Sequence, residues 1–260
     1  MRAFRKSLGI SLAVLLMAGL FAGQAMAAPV ALELALLVDV SGSVSASEYT
    51  LQKTGYINAF NDPAIQAAIA SFAASGGIAV TYVEWSSNNQ QSTQVGWTQI
   101  TNAAEAAAFA SAIGGTTRAY NGNTAPGDAI EYGIGLFANN FEGTRKVIDV
   151  SGDGASNAEP TPYGNAGNAA HWAAAALASG ITVNGLAILG ESGLQAWYQN
   201  NIVTPGGGSL YIAATFDDFE GAVAQKIGQE ITPIPEPGTM MLLGSGLVGL
   251  AGWGRKKFRL

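Results

Sequence analysis

Apolar residues along the chain fall in short dense runs that alternate with amphipathic stretches. Leu32 to Val40 reads LELALLVDV, a near-continuous apolar run suited to a strand covered on both faces of a parallel sheet. Ser47-Glu48 opens a helical stretch through Phe60, and Asp62-Pro63 offers a cap and a first-turn proline for a short helix reaching Phe72. GGIAVTYVEWS then predicts a strand, and the alternating QQSTQVGWTQI can pair beside it. Asn102 with Glu105 has the form of an N-cap and its reciprocal partner, leading an Ala-rich helix to Gly114-Gly115. Pro126 starts a helix running to about Asn139, RKVIDV (145–150) is the next strand, and Asn168 to Ser179 is a second Ala-rich helix ended by Gly180. ITVNGLAIL predicts a buried strand, GLQAWYQNNI a helix and SLYIAA a strand. Phe216, Phe219, Val223, Ile227 and Ile231 share one face of a last helix, with Asp217 and Asp218 favourably at its N-terminus.

Strands alternating with helices imply right-handed crossovers, and so a single α/β domain: a doubly wound, mainly parallel sheet with helices on both faces. Ligands in such sheets sit at the carboxyl ends of the central strands, which directs attention to the residues just after each strand.

Both ends of the chain stand apart from this pattern. Arg2, Arg5 and Lys6, an apolar run from Leu8 to Phe21 and then Ala25-Met26-Ala27 have the order of a secretory signal peptide over residues 1–27, with cleavage expected before Ala28. The domain proper is expected over 28–232. Residues 233–260 carry Pro235-Glu236-Pro237, an apolar stretch from Met240 to Trp253 and a basic cluster of Arg255, Lys256, Lys257 and Arg259. This three-part order resembles the PEP-CTERM sorting signal. The resemblance implies export in a Gram-negative bacterium to the periplasm, outer surface or extracellular matrix, processing by an exosortase-type enzyme, and membrane contact through the tail before processing.

Setting the basic ends aside changes the charge. The formal charge is −6, but seven of the twelve Lys and Arg lie in the ends, against one of the eighteen acids, Glu236, so in residues 28–232 five cations face seventeen acids, a net of −12. Such a domain is repelled by nucleic acid and attracts divalent cations or cationic ligands. No cysteine is present, which excludes disulfides, thiolate nucleophiles and thiolate metal sites.

At the end of the first strand, Asp39-Val40-Ser41-Gly42-Ser43 spaces one carboxylate and two hydroxyls by two residues, so that they can converge on one hard cation. A Ser-rich turn capping the next helix would read the same way. Thr124 precedes the helix begun by Pro126, and Asp153 follows VIDVSG past another strand. These three discontinuous segments resemble the metal-ion-dependent adhesion site (MIDAS) of von Willebrand factor A domains, and the chain resembles that family from about residue 31 to residue 231. The resemblance implies direct metal ligation by Ser41 and Ser43, action largely through water by Asp39 and Asp153, and Thr124 joining directly or through water. It further implies a divalent cation, Mg²⁺ first with Mn²⁺ or Ca²⁺ as alternatives. The wording VIDVSGDG, with AVTYVEW and TVNGL, matches an uncharacterised bacterial branch of A-like domains and departs from the commoner threonine before the aspartate.

Other constellations are weaker. Asp149, Ser151, Asp153 and Gly154 imitate the start of a calcium loop, but the terminal ligand falls on Pro160, with Glu159 one residue early. Asp149 is expected to pair with a buried arginine, Arg118 or Arg145, or to cap a neighbouring loop. His171 is the one histidine and sits in an Ala-rich helix, where a packed or surface role is expected. A carboxylate pair for glycoside cleavage would have to come from Glu84, Asp39, Asp149 or Asp153, and Glu84 is expected to support the site by a hydrogen bond instead. Tryptophans and tyrosines are expected mainly in the core, sugar stacking being their alternative use. The expectation is therefore an exported binding or adhesion module that captures an acidic group of an envelope protein or acidic polysaccharide through a bound cation, with no catalytic constellation. A metal-dependent hydrolase of envelope polymers and a structural envelope protein are the alternatives.

Overall fold

The computed structural model describes residues 26–158 and 164–232. The expected sorting tail, the expected signal segment up to residue 25, and Glu159, Pro160 and Tyr163 lie outside the described residues. Among the described residues six strands and seven α-helices follow one another: β1 (Ala28–Asp39), α1 (Ala46–Asn61), α2 (Pro63–Ser71), β2 (Ile78–Trp85), β3 (Gln91–Ile100), α3 (Ala103–Gly114), α4 (Pro126–Leu136), β4 (Phe141–Gly152), α5 (Gly164–Ala178), β5 (Ile181–Ile188), α6 (Leu194–Asn201), β6 (Leu210–Ala213) and α7 (Phe219–Ile231).

Local chemistry accounts for most boundaries. Ser45, two residues earlier than expected, caps α1 in a reciprocal box with Glu48. Asp62 caps α2, its carboxylate accepting from Ala64 N at 2.7 Å. Asn102 caps α3, but Glu105 reaches back one residue further than a capping box requires, to Thr101 N at 2.6 Å. Strands β1 and β4 are longer than their apolar runs because Ala28 to Val30 pair with Phe141 to Gly143.

The sheet order is β3-β2-β1-β4-β5-β6. All pairings are parallel except β2 with β3, which joins at the edge in antiparallel fashion. The segment between those two strands is far too short for a crossover, so only a hairpin can link them. Chain direction across the sheet reverses between β1 and β4, placing the topological switch point at their carboxyl ends, just beyond Asp39 and Gly152.

Alternating residues of β1 serve two cores. Leu32, Leu34, Leu36 and Val38 pack with Tyr56 and Phe60 of α1, Phe109 of α3 and Phe219, Val223 and Ile227 of α7. Ala35 and Leu37 face the opposite layer, with Ile130 of α4, Ala169 and Ala173 of α5 and Tyr198 of α6. The doubly wound expectation is thereby met.

Asp149 corrects one expectation. Neither arginine reaches it. It sits mid-strand in β4, opposite Leu36 and Asn184, and forms an ion pair with Lys226 of α7, both side chains being fully buried. Glu230 lies 3.7 Å from the same ammonium and accepts from Asn184 Nδ2 at 2.7 Å. Burial pulls the Lys226 ammonium down to about 8, against the opposing pull of Glu230. Arg145 instead donates to the Glu230 and Ile231 carbonyls, closing the C-terminus of α7.

Candidate metal centre

The five predicted residues converge at the switch point. Leaving β1, the chain turns so that Asp39 Oδ1 accepts from Ser41 N at 2.7 Å. Ser41 Oγ lies 3.1 Å from Ser43 Oγ, Ser43 Oγ donates to Asp153 Oδ1 at 2.7 Å, and Thr124 Oγ1 donates to Ser41 Oγ at 3.3 Å. Asp39 and Ser41 are fully buried, Thr124 nearly so, while Ser43 is exposed. The cluster therefore opens outward from a buried floor into a cleft of about 410 Å³ that Ser43, Thr124, Asp153, Asn157 and Glu191 help to line.

A second tier of residues, which sequence reasoning did not identify, sets these positions. Gly42 N donates to Gly122 O at 2.7 Å, tying the first loop to the threonine loop. Ser86 and Ser87, at the carboxyl end of β2, bond Gly122 N at 2.8 Å and Asn123 N at 2.7 Å. Asn157 Oδ1 accepts from Thr124 N at 2.9 Å. The available signal for the two serines was their place directly after a central strand. Arg118 does not meet Asp149 but lies beneath the site, where it donates to Val40 O at 2.9 Å, Ser41 O at 2.6 Å, Tyr120 O at 2.8 Å and Asn121 Oδ1 at 3.0 Å. Glu84 supports the site one step removed, accepting from Tyr49 Oη at 2.8 Å and from Ala119 N at 2.7 Å, beside Arg118.

The donor set fits a hard cation. Burial, and next the Asp153 charge, raise the Asp39 carboxyl to about 7, against the lowering effects of Ser41 and Arg118. Asp153 is also held above the usual range, first by burial. Asp39 Oδ2 is a buried oxygen without a hydrogen-bond partner. A cation among these groups reverses the electrostatic sign and favours both carboxylates. Neighbouring oxygens 2.7 to 3.3 Å apart match the edge of about 2.9 Å that follows from metal–oxygen bonds of about 2.0–2.1 Å in octahedral geometry. Among the described residues no group of three or more His, Cys, Asp or Glu side chains is placed to hold a metal, and the oxygens gathered here are two carboxylates with three hydroxyls.

The remaining candidates do not join this cleft. Asp39, Glu84 and Asp149 are buried, and of the four carboxylates considered for glycoside chemistry only Asp153 lines the opening. Asp149 stands inside β4, which removes it from any calcium loop. His171 is exposed on α5, its ring edge-on to Trp172 at 5.0 Å. Trp85, Tyr82 and Tyr198 are fully buried, and Trp97, Trp172 and Trp197 partly so.

The raised Asp39 carboxyl sets a pH dependence. In the metal-free domain the folded state retains a proton that the unfolded chain releases near pH 4, so this contribution to stability is lost as pH rises towards about 7. A cation bound here would favour the ionised form, so the proton would compete with it and apparent affinity would weaken as pH falls below about 7. Thermal melts with and without Mg²⁺ should show a metal-induced stabilisation that grows from pH 5.5 to pH 8. Equal stabilisation at both values refutes the role of Asp39.

A family model described as "Protein of unknown function (DUF1194)" matches residues 29–235, and the PEP-CTERM protein-sorting motif matches residues 233–256. No curated protein matches the chain. Among solved structures, pilus adhesin SpaC from Lactobacillus rhamnosus GG is 17% identical with a TM-score of 0.59, over 77% of this chain and 30% of that one. Proximal thread matrix protein 1 from the mussel byssus, solved with a zinc-occupied MIDAS motif, is 17% identical with a TM-score of 0.54, over 78% and 46%. A von Willebrand factor type A protein from Catenulispora acidiphila is 14% identical with a TM-score of 0.52, over 76% and 42%. The chain thus spans less than half the length of these three proteins, and the shared feature is the von Willebrand A fold.

Proposed function

The chain belongs to the DUF1194 family, and from that premise, joined to an A-type fold, we propose that it is an exported binding module that captures an acidic group through a divalent cation. The observation that carries this reading is the convergence of Asp39, Ser41, Ser43, Thr124 and Asp153 at the switch point of the sheet. Ser41, Ser43 and Thr124 would hold the ion through their hydroxyls, and Asp39 and Asp153 would face it with their carboxylates. Mg²⁺ suits this oxygen set, with Mn²⁺ and Ca²⁺ as further candidates. The mussel neighbour's zinc-occupied motif supports metal binding at such a site.

When bound, the ion supplies an attraction for an incoming carboxylate. The chain's own residues do the rest. Arg118 and Gly42 fix the loop that presents the two serine hydroxyls. The exposed position of Ser43 leaves the outer side of the site open to a partner in the envelope or outside the cell. The sorting motif supports export and processing by an exosortase-type enzyme.

Differential scanning calorimetry of the purified chain tests the reading. Mg²⁺ at a hundredfold excess over its Kd should stabilise the fold by about 2.7 kcal/mol. EDTA should reverse the shift and Asp39→Ala should abolish it. If Mg²⁺, Mn²⁺ and Ca²⁺ all leave the unfolding transition unmoved, the metal latch is wrong.

A further inference from the structure

The charges buried between α7 and the sheet are placed for a reaction as well as for an ion pair. Lys226 Nζ is in direct contact with Asp149 Oδ2, both side chains being fully buried, and the buried Glu230 stands 3.7 Å from the same nitrogen. Apart from that contact, neither Asp149 oxygen nor Lys226 Nζ has a hydrogen-bond partner among the described residues. Glu230 is held independently. Its Oε1 accepts from Asn184 Nδ2 at 2.7 Å, and Asn184 Oδ1 in turn accepts from Ser209 N at 2.8 Å, while Glu230 Oε2 has no partner. An amine, a carboxyl and a second carboxylate are thus fixed side by side, out of contact with solvent.

Burial of this kind works against charge. Desolvation draws Lys226 down to about 8, against the pull of Glu230, so a share of it is free amine near neutral pH. Proton transfer from the ammonium to the Asp149 carboxylate leaves a neutral amine beside a neutral carboxylic acid, and a desolvated lysine amine is a competent nucleophile. Groups held in such proximity react with effective concentrations that reach about 10⁵–10⁸ M when well oriented.

We propose that Lys226 and Asp149 join in an amide bond, an intramolecular isopeptide link between α7 and β4. Lys226 Nζ attacks Asp149 Cγ, Glu230 takes the proton that Nζ sheds, and Glu230 returns it to the Asp149 oxygen, which departs as water. One C–N bond forms, one C–O bond breaks, and no oxidant, reductant or cofactor is consumed. Two buried charges become one neutral amide, which removes their desolvation penalty. The ion pair is the precursor of this link, and the metal site takes no part in it. Residue 233, where the sorting motif begins, follows closely on α7, so the link fastens the helix that leads to that motif to a central strand of the sheet.

Mass spectrometry of the purified, denatured chain tests the proposal. Once its two end residues are identified, the wild-type chain should be lighter than its sequence requires by one water, about 18 Da, the molecule that amide formation expels. Cleavage at glutamates should release the peptide carrying Asp149 joined to the one carrying Lys226, and trypsin should fail to cut after Lys226. Lys226→Arg keeps a cation but offers no free amine. Glu230→Gln keeps an acceptor for Asn184 but cannot take the proton. Both variants should show the full sequence mass. A wild-type chain at full mass, with Asp149 and Lys226 in separate peptides, overturns the proposal whatever the variants do. Loss of the same water from Lys226→Arg places the reaction elsewhere and overturns it too. Cross-linking of Glu230→Gln to the wild-type level overturns the role given to Glu230.

Discussion

Lys226→Ala should destabilise the domain by about 3–5 kcal/mol, the usual cost of removing one partner from a buried ion pair. The wild-type ammonium is fully buried on α7 and meets Asp149 of β4, with Glu230 at 3.7 Å. Its removal leaves two carboxylates inside the sheet–helix layer, one of which retains only Asn184 as a hydrogen-bond donor. The loss is a large share of the roughly 5–15 kcal/mol that holds a typical domain together. Urea unfolding of Lys226→Ala against wild type measures it. Lys226→Met with Asp149→Leu should recover part of the loss, because apolar replacement of this pair removes the Asp149 charge and leaves only Glu230, which keeps Asn184 as a donor. A loss below about 1 kcal/mol for Lys226→Ala, the size seen for exposed ion pairs, would show that the pair does not hold α7 to the sheet.

Gly152→Ala should remove the Mg²⁺-induced stabilisation altogether. Gly152 ends β4 at the switch point, and a Cβ there would lie 2.6 Å from Tyr198 Oη and 2.8 Å from Asp39 Oδ2. Both neighbours are fully buried, so neither can swing into solvent to make room. Overpacking of this kind costs about 1–3 kcal/mol. Two contacts fall on Asp39, through Oδ2 and Cβ, so relief displaces the side chain whose other oxygen orients Ser41 N. Tyr198→Phe in the Gly152→Ala background removes the nearer clash and should recover stability, but the contact with Asp39 remains. Calorimetry with and without Mg²⁺ on both variants checks this. A full metal response in Gly152→Ala would show that Asp39 need not keep its position.

Much of the candidate site was legible because its elements are local. Asp39, Ser41 and Ser43 lie within one turn of chain, and spacing by two brings their side chains towards one point. Thr124 and Asp153 could be found because each adjoins a boundary that the apolar pattern marks. Ser86, Asn157 and Arg118 carry no such spacing signal, and their roles depend on loops that meet only after the sheet has formed. The expectation that Asp149 meets an arginine overlooked a sign in the last helix. Lys226 and Glu230 share the buried stripe of α7 with Phe219, Val223 and Ile227, and a charge on an apolar stripe implies a partner across the interface.

By itself the sequence determined that β1, β2, β4 and β5 form an α/β sheet and that oxygen donors follow its first central strand, because apolar periodicity, caps and short spacings act within a few residues. Only the tertiary structure decided which charges meet. The Asp149–Lys226 pair, the clamp of Arg118 and the bond from Ala155 N to Glu191 join residues distant in the chain, and such pairings follow from how the helices cross the sheet.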